Sequence, residues 1–179
     1  MLILLDRDGV INEDRADHVK NPDEFVMIEQ SAKAVARLNQ AGHKTALVTN
    51  QSGIGRGLYD EPMLARIHEK MKDALAKAGG HLDAIFVCPD TPERATDRRK
   101  PGPEMLNEAM RQFRISADDC VMIGDAARDL EAAARVNVAR ILVRTGKGAG
   151  TQATGLAPAI LPVTVCDDLW DAVDRILTQ

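Results

Sequence analysis

Apolar residues along the chain fall into short continuous runs separated by stretches with helical spacing. Leu2 to Leu5 is unbroken, as in a strand covered on both faces, and Lys44 to Thr49, Ala84 to Cys88, Cys120 to Ile123 and Arg140 to Val143 read the same way. Between them lie amphipathic stretches. Ser31 is placed to cap a helix with apolar Ala32, Val35, Ala36 and Leu38, stopped by Gly42. Asp60 is placed to cap a longer one through Leu64, Ile67, Met71 and Leu75 to Gly79-Gly80. Pro103 to Phe113 and Leu130 to Val136 predict two more helices, Ile160 to Val165 a weaker strand, and Asp168 to Leu177 a last helix. Strands alternating with helices predict an α/β fold: a doubly wound, mainly parallel sheet with helices on both faces.

Ligands of such sheets bind beyond the carboxyl ends of the strands. That rule selects Asp6 and Asp8 after the first strand, Thr49 and Asn50 after the second, Lys100 after the third and Asp125 after the fourth. Two aspartates two residues apart repel unless a cation lies between them or one holds a proton. Oxygen-only ligation favours Mg²⁺, with Asp125 supplying a carboxylate from another strand and Asp129, one turn on, orienting a ligand or the lysine. Turn capping explains one such aspartate, not three at the ends of separate strands. Residues 49 to 57 (T-N-Q-S-G-I-G-R-G) bring a hydroxyl, amides and glycine-exposed N–H groups that suit phosphate oxygens. Position 58 is Leu, so this is no dinucleotide fingerprint, and Gly146-Lys147-Gly148, without the required Ser or Thr, reads as a flexible loop.

Composition narrows the classes further. The chain has 179 residues, 45% hydrophobic and 28% charged, with a net charge of −4. This fits one domain over 1–179 and a small-molecule partner rather than nucleic acid. The one dense basic run is Arg98-Arg99-Lys100: Lys100 reads as a phosphate clamp, Arg99 as a bidentate contact to another substrate group, and Arg98 as surface. No apolar run reaches the ~20 residues of a membrane span, and the stretch Met1 to Asp6 lacks the basic n-region and small-residue cleavage site expected of a signal peptide. Cys88, Cys120 and Cys166 are odd in number and far apart, so a reduced, cytoplasmic monomer is expected.

In order, Asp6-x-Asp8, Thr49, Lys100 and Gly124-Asp125-x-x-x-Asp129 resemble the haloacid-dehalogenase-like (HAD) phosphatases. Residues 5–12, 48–57, Cys88-Pro89, Arg99-Lys100-Pro101 and Val143 to Lys147 look like the branch that holds heptose 1,7-bisphosphate phosphatases and the phosphatase half of histidinol-phosphate phosphatase. The resemblance implies a HAD-like Rossmannoid core and a two-step phosphoryl transfer. Asp6 would be the nucleophile and Asp8 the acid, then the base. Asp6, the Asp8 carbonyl and Asp125 would hold Mg²⁺, and Thr49, Asn50 and Lys100 would stabilise the transferring oxygens. Asp14, Arg15, Ala16, Asp17, Gln51, Ser52 and Arg99 are the implied sugar-phosphate contacts.

Two departures stand out. Ala126 replaces a lysine found in many members, and residues 89 to 99 lack the Cys and His that often hold zinc there, so no zinc is expected. Arginines and carboxylates within that loop are expected to pair instead. The gaps after Asp8 and after Cys88 are too short for a large cap domain. Histidinol-phosphate phosphatase is the enzymatic alternative and a phosphoacceptor signalling domain the non-enzymatic one. The latter needs its acceptor aspartate at the end of strand three, where Val87-Cys88-Pro89 stands.

Overall fold

The computed structural model describes residues 1–178. Six strands, β1 (Leu2–Leu5), β2 (Lys44–Asn50), β3 (Ala84–Cys88), β4 (Cys120–Gly124), β5 (Ala139–Val143) and β6 (Thr164–Cys166), form one sheet in the order β3-β2-β1-β4-β5-β6. Every neighbouring pair is parallel, where the sequence predicted mainly parallel. The direction of winding reverses at β1, flanked by β2 and β4. A crevice opens at such a reversal.

The period-2 geometry of β1 splits its side chains between two cores. Ile3 and Leu5 pack with α1 (Ser31–Gln40), α3 (Glu61–Lys77) and α7 (Leu169–Leu177) on one face. Leu2 and Leu4 pack with α4 (Glu104–Phe113) and α5 (Ala127–Arg135) on the other. All four β1 residues are fully buried, which explains their unbroken apolar run. Asp60 caps α3 by accepting from the Met63 amide at 2.9 Å, and Asp168 caps α7 by accepting from Asp171 at 2.8 Å.

Other boundaries differ from the sequence prediction. Ser31 is not a cap: it is the first residue of α1, and its hydroxyl donates to the Val10 carbonyl at 2.9 Å, while Gln30 turns the chain at φ 65°. Helix α5 begins three residues before Leu130 because Asp129 reaches back to the Ala126 amide at 3.1 Å. The segment expected as one strand from Ile160 is a 3-10 turn (Pro158–Ile160) followed by β6. Two short helices, α2 (Ser52–Gly55) and α6 (Gly148–Thr154), stand where loops were expected. No helix among the described residues is long and apolar enough to cross a membrane.

Candidate active site

The strand ends bring their polar residues together as the sheet rule requires. The Asp6 amide donates to the Ile123 carbonyl at 3.0 Å, extending the β1–β4 ladder so that the Asp6 side chain meets residues of β4 and α5. Oxygens of Asp6, Asp125 and Asp129 lie within 4.8 Å of one another, all three side chains buried. The Lys100 ammonium, also buried, sits 3.0 Å from Asp6 Oδ1 and 2.7 Å from Asp129 Oδ1. Burial pulls Lys100 toward neutrality, but Asp129 and Asp6 outweigh it and hold the ammonium above its usual range. Asp129 therefore orients the lysine, one of the two roles its spacing allowed.

One ammonium does not balance three carboxylates. Burial raises the proton affinity of Asp6 despite Lys100, and burial with the charges of Asp6 and Asp129 pushes Asp125 up to about 7. Asp125 Oδ2 accepts from the Lys147 amide at 2.8 Å, whereas its buried Oδ1 has no partner. A buried orphan oxygen facing two more carboxylates is a defect without a cation and a ligand set with one. The donor set is all oxygen and suits Mg²⁺.

Asp8 occupies a different environment. Arg7, fully buried, donates to its Oδ1 at 2.9 Å and Oδ2 at 3.1 Å, Asn12 donates to Oδ1 at 2.9 Å, and Gln51 to Oδ2 at 2.9 Å. Burial would raise Asp8, but the Arg7 charge and these bonds hold it below the usual carboxylate range. Its carboxylate is thus committed to protein donors, which fits a metal contact through its carbonyl. Gln51 also donates to Thr49 Oγ1 at 3.0 Å and accepts from the Tyr59 hydroxyl at 2.7 Å. Thr49 keeps its proton free to donate outward.

The second-strand residues divide by role. Asn50 spends its side chain on the Lys100 backbone, and Gln51 spends its own on Asp8, Thr49 and Tyr59, so both position other groups. Ser52, buried, opens α2. Of the loop expected to touch substrate, Asp14 reaches the site rim through Lys147 Nζ at 2.9 Å. Arg15 and Asp17 are exposed, pair with each other at 3.0 Å and continue to Lys20, and Ala16 lies exposed between them.

The 89–99 loop holds itself differently from the expected arginine–carboxylate pairs. Asp90 accepts from the Thr96 amide and hydroxyl, and Arg99 donates to the Asp90 carbonyl at 2.7 Å. Arg98 is no bystander: it ties the loop to Glu108 and to the Val87 carbonyl. Cys88 is a buried thiol whose proton is held more tightly by burial. The one cluster of three acidic, Cys or His side chains with metal-ligand spacing among the described residues is Asp6, Asp125 and Asp129.

Sequence reasoning missed Arg7, His68 and the 145–147 turn. His68 lies on the buried stripe of α3, one place from Ile67, and its ring stands 3.4 Å from the Arg7 guanidinium. Gly146 belongs to a wall, not a flexible loop. A Cβ there would fall 2.3 Å from Asp125 Oδ2 and 2.5 Å from the Gly9 Cα, and one on Gly9 would fall 2.1 Å from the same oxygen. Thr145 locks the two turns together by donating to the Gly9 carbonyl at 2.6 Å. Next to this wall, Ala127, Lys147 and Thr151 line an open groove of about 530 Å³.

Comparison with known proteins agrees with this geometry. Residues 97–172 match a HAD-hydrolase-like family model. A curated D-glycero-beta-D-manno-heptose-1,7-bisphosphate 7-phosphatase from Bordetella bronchiseptica is 44% identical over 178 residues, 99% of this chain and 98% of its own. One of the same name from Pseudomonas aeruginosa is 42% identical over 176 residues, covering 98% and 97%. The crystal structure of the Bordetella bronchiseptica phosphatase, complexed with magnesium and phosphate, superposes with a TM-score of 0.94 over 99% of this chain and 98% of that one. With such identity across nearly its whole length, the chain belongs to the heptose 1,7-bisphosphate phosphatase family of HAD-like hydrolases.

Proposed function

We propose that this chain removes the C7 phosphate of D-glycero-β-D-manno-heptose 1,7-bisphosphate. The observation that carries the reading is the buried Asp6–Lys100–Asp129 centre with Asp125 beside it, in a chain 44% identical to a phosphatase of that name. Residues 1–179 act as one HAD-like unit. Three buried free thiols suit a reducing compartment, and we take the working form to be a cytoplasmic monomer.

Mg²⁺, held by Asp6, the Asp8 carbonyl and Asp125, supplies positive charge that offsets repulsion between the nucleophile and the phosphate. Asp6 attacks phosphorus, the bond to the C7 oxygen breaks, and an aspartyl-phosphate forms. Lys100 and the Thr49 hydroxyl donate to the transferring oxygens, whose charge grows in the transition state. Asp8 gives the C7 oxygen its proton. In the free chain Asp8 is ionised by Arg7, so its proton arrives with substrate, whose negative phosphate raises a neighbouring carboxylate's affinity for it. Asp8 then takes a proton from water as the water oxygen attacks phosphorus, releasing inorganic phosphate and free Asp6. Asp14, Arg15, Ala16, Asp17, Ser52 and Arg99 are assigned to the sugar end, with Asp14 supported by its ion pair to Lys147, whose amide bonds Asp125.

The test is phosphate release from both anomers of heptose 1,7-bisphosphate and from histidinol phosphate, with product position read by NMR. A β-bisphosphate preference of at least tenfold and loss of the C7 phosphate are expected. Comparable slow release from all three would sink the reading, and preference for histidinol phosphate would replace it with the enzymatic alternative.

A further inference from the structure

Gln51 joins two groups of the reaction through one nitrogen. Its Nε2 donates to Asp8 Oδ2 at 2.9 Å and to Thr49 Oγ1 at 3.0 Å. Its carbonyl is held from behind, accepting from the Tyr59 hydroxyl at 2.7 Å. Tyr59 is itself fixed in place. A Cβ on Gly53 would fall 2.2 Å from Tyr59 Cε1, so the buried ring fills the space that this glycine leaves in α2. The chain on either side is pinned, the Leu58 amide donating to the Gly53 carbonyl at 2.8 Å and Asp60 capping α3. Burial pushes the phenol up to about 12, so it keeps the proton that it donates.

A primary amide has a donor end and an acceptor end, and turning it over exchanges them. In the observed orientation Thr49 accepts from Gln51, and its own proton is left free for the transferring oxygens. Turned over, the amide would set Oε1 against Thr49 and take that proton. Asp8 resists the turn while it is ionised, because a carboxylate repels Oε1, but not in the step in which it carries a proton for the leaving oxygen. The Tyr59 hydroxyl resists throughout. Its bond to Gln51 is the one it makes among the described residues, so a turned amide would strand a buried proton without an acceptor.

We propose that Tyr59 is a positioning residue for phosphoryl transfer: it holds the Gln51 amide in one orientation and thereby keeps the Thr49 proton on the phosphate rather than on Gln51. This rests on the roles given to Thr49 and Asp8 above. Tyr59 acts through Gln51 and touches no reacting atom.

The test is a double-substitution cycle on heptose 1,7-bisphosphate at saturating Mg²⁺, with Tyr59→Phe, Thr49→Val and the pair, using enzyme in excess where turnover is slow. Tyr59→Phe keeps the ring against Gly53 and drops only the hydroxyl. Alone it is expected to lower kcat about tenfold and change KM less than about threefold, because the Thr49 contact strengthens in the transition state. In Thr49→Val no hydroxyl proton remains to be misdirected, so adding Tyr59→Phe is expected to lower kcat less than about twofold. Equal falls in the two backgrounds overturn the proposal: Tyr59 would then only support α2. An unchanged kcat in Tyr59→Phe overturns it too, as does a loss carried by KM alone. Should Tyr59→Phe fail to fold by circular dichroism, Gln51→Met carries the same cycle, with a larger fall expected in the wild-type background than in Thr49→Val and equal falls overturning the proposal. A wild-type chain inert on this ester overturns the functional reading and this proposal together, and a Thr49→Val chain as fast as wild type overturns the role of Thr49 with it. An impaired Thr49→Val chain with equal falls overturns this proposal alone.

Discussion

Asn50 and Lys100 exchange two hydrogen bonds, Asn50 Nδ2 donating to the Lys100 carbonyl at 3.0 Å and the Lys100 amide donating to Asn50 Oδ1 at 3.1 Å. The tip of β2 thus fixes the backbone from which the ammonium reaches Asp6. Asn50→Ala removes both bonds and leaves two backbone groups short of partners. A loss of about 1–3 kcal/mol is expected from two such bonds. Turnover should fall about tenfold or more with KM changed less, because a misplaced Lys100 weakens transition-state contacts most. Urea denaturation and steady-state kinetics check the two parts separately, and unaltered kcat would show that Lys100 needs no such tether.

Lys100 answers to two carboxylates, so its removal strands both. Lys100→Met leaves Asp6 and Asp129 without their shared counter-charge and is expected to cost about 3–5 kcal/mol, as for other broken buried pairs. Added Mg²⁺ should raise the Tm of Lys100→Met more than that of the wild-type chain, since a cation near Asp6 restores part of the balance. Equal Mg²⁺ effects on the two proteins would mean that the cation and the lysine do not share a field.

Much of this was legible in the chain because it depends on local signals. The apolar runs gave the first five strands, the Asp60 cap gave one helix start, and the strand-end rule gathered Asp6, Asp8, Thr49, Lys100 and Asp125. What stayed hidden depends on tertiary contacts. Helix α6 is built from G-A-G-T-Q-A-T, a poor helix former. It forms where a Gly148 Cβ would meet the Val143 carbonyl at 1.6 Å and where Thr151 donates to the Asp125 carbonyl at 2.9 Å. Arg7, between two aspartates, drew no reading from the sequence, yet is sealed against His68. Its only signal was His68 falling on the α3 stripe between Leu64 and Met71.

Loss of the nucleophile separates chemistry from fold. Asp6→Asn keeps the shape and an oxygen near Lys100 but offers no carboxylate to attack phosphorus, so turnover should vanish while phosphate-ester binding persists. Asp8→Asn, lacking only the proton carrier, should lose at least the ~10²-fold that general acid–base catalysis contributes. Rapid-quench labelling with a ³²P substrate is expected to trap phosphoprotein in Asp8→Asn and none in Asp6→Asn. Labelling in the latter would move the nucleophile elsewhere.

Mg²⁺ and protons compete for the same oxygens. Burial, Asp6 and Asp129 push Asp125 up to about 7, so below that pH the metal-free chain holds a proton that the cation must displace. The Mg²⁺ concentration for half-maximal activity should be flat above pH 8 and rise toward about tenfold per unit below 7. EDTA should abolish activity and Mg²⁺ restore it, and Asp125→Ala should raise the requirement at every pH. A requirement independent of pH from 5.5 to 8 would remove Asp125 from the ligand set.

His68 sets a separate pH dependence, of stability rather than activity. Burial first, then the charge of Arg7, lowers it from 6.5 to about 3, so in the folded chain the ring stays neutral beside a guanidinium. Between those values the unfolded chain takes up a proton that the folded chain refuses. Stability from this group is therefore complete above about pH 6.5 and declines as pH falls toward 3, at a slope approaching ~1.4 kcal/mol per unit. His68→Gln keeps a polar group facing Arg7 but does not titrate. The unfolding free energy of wild type minus that of His68→Gln should be constant from pH 7 to 8 and fall steadily from 6.5 to 4.5, because the carboxylates common to both proteins cancel in the difference. Parallel curves through that range would mean that the ring takes up its proton in the folded state, and that Arg7 is held against Asp8 without a neutral histidine behind it.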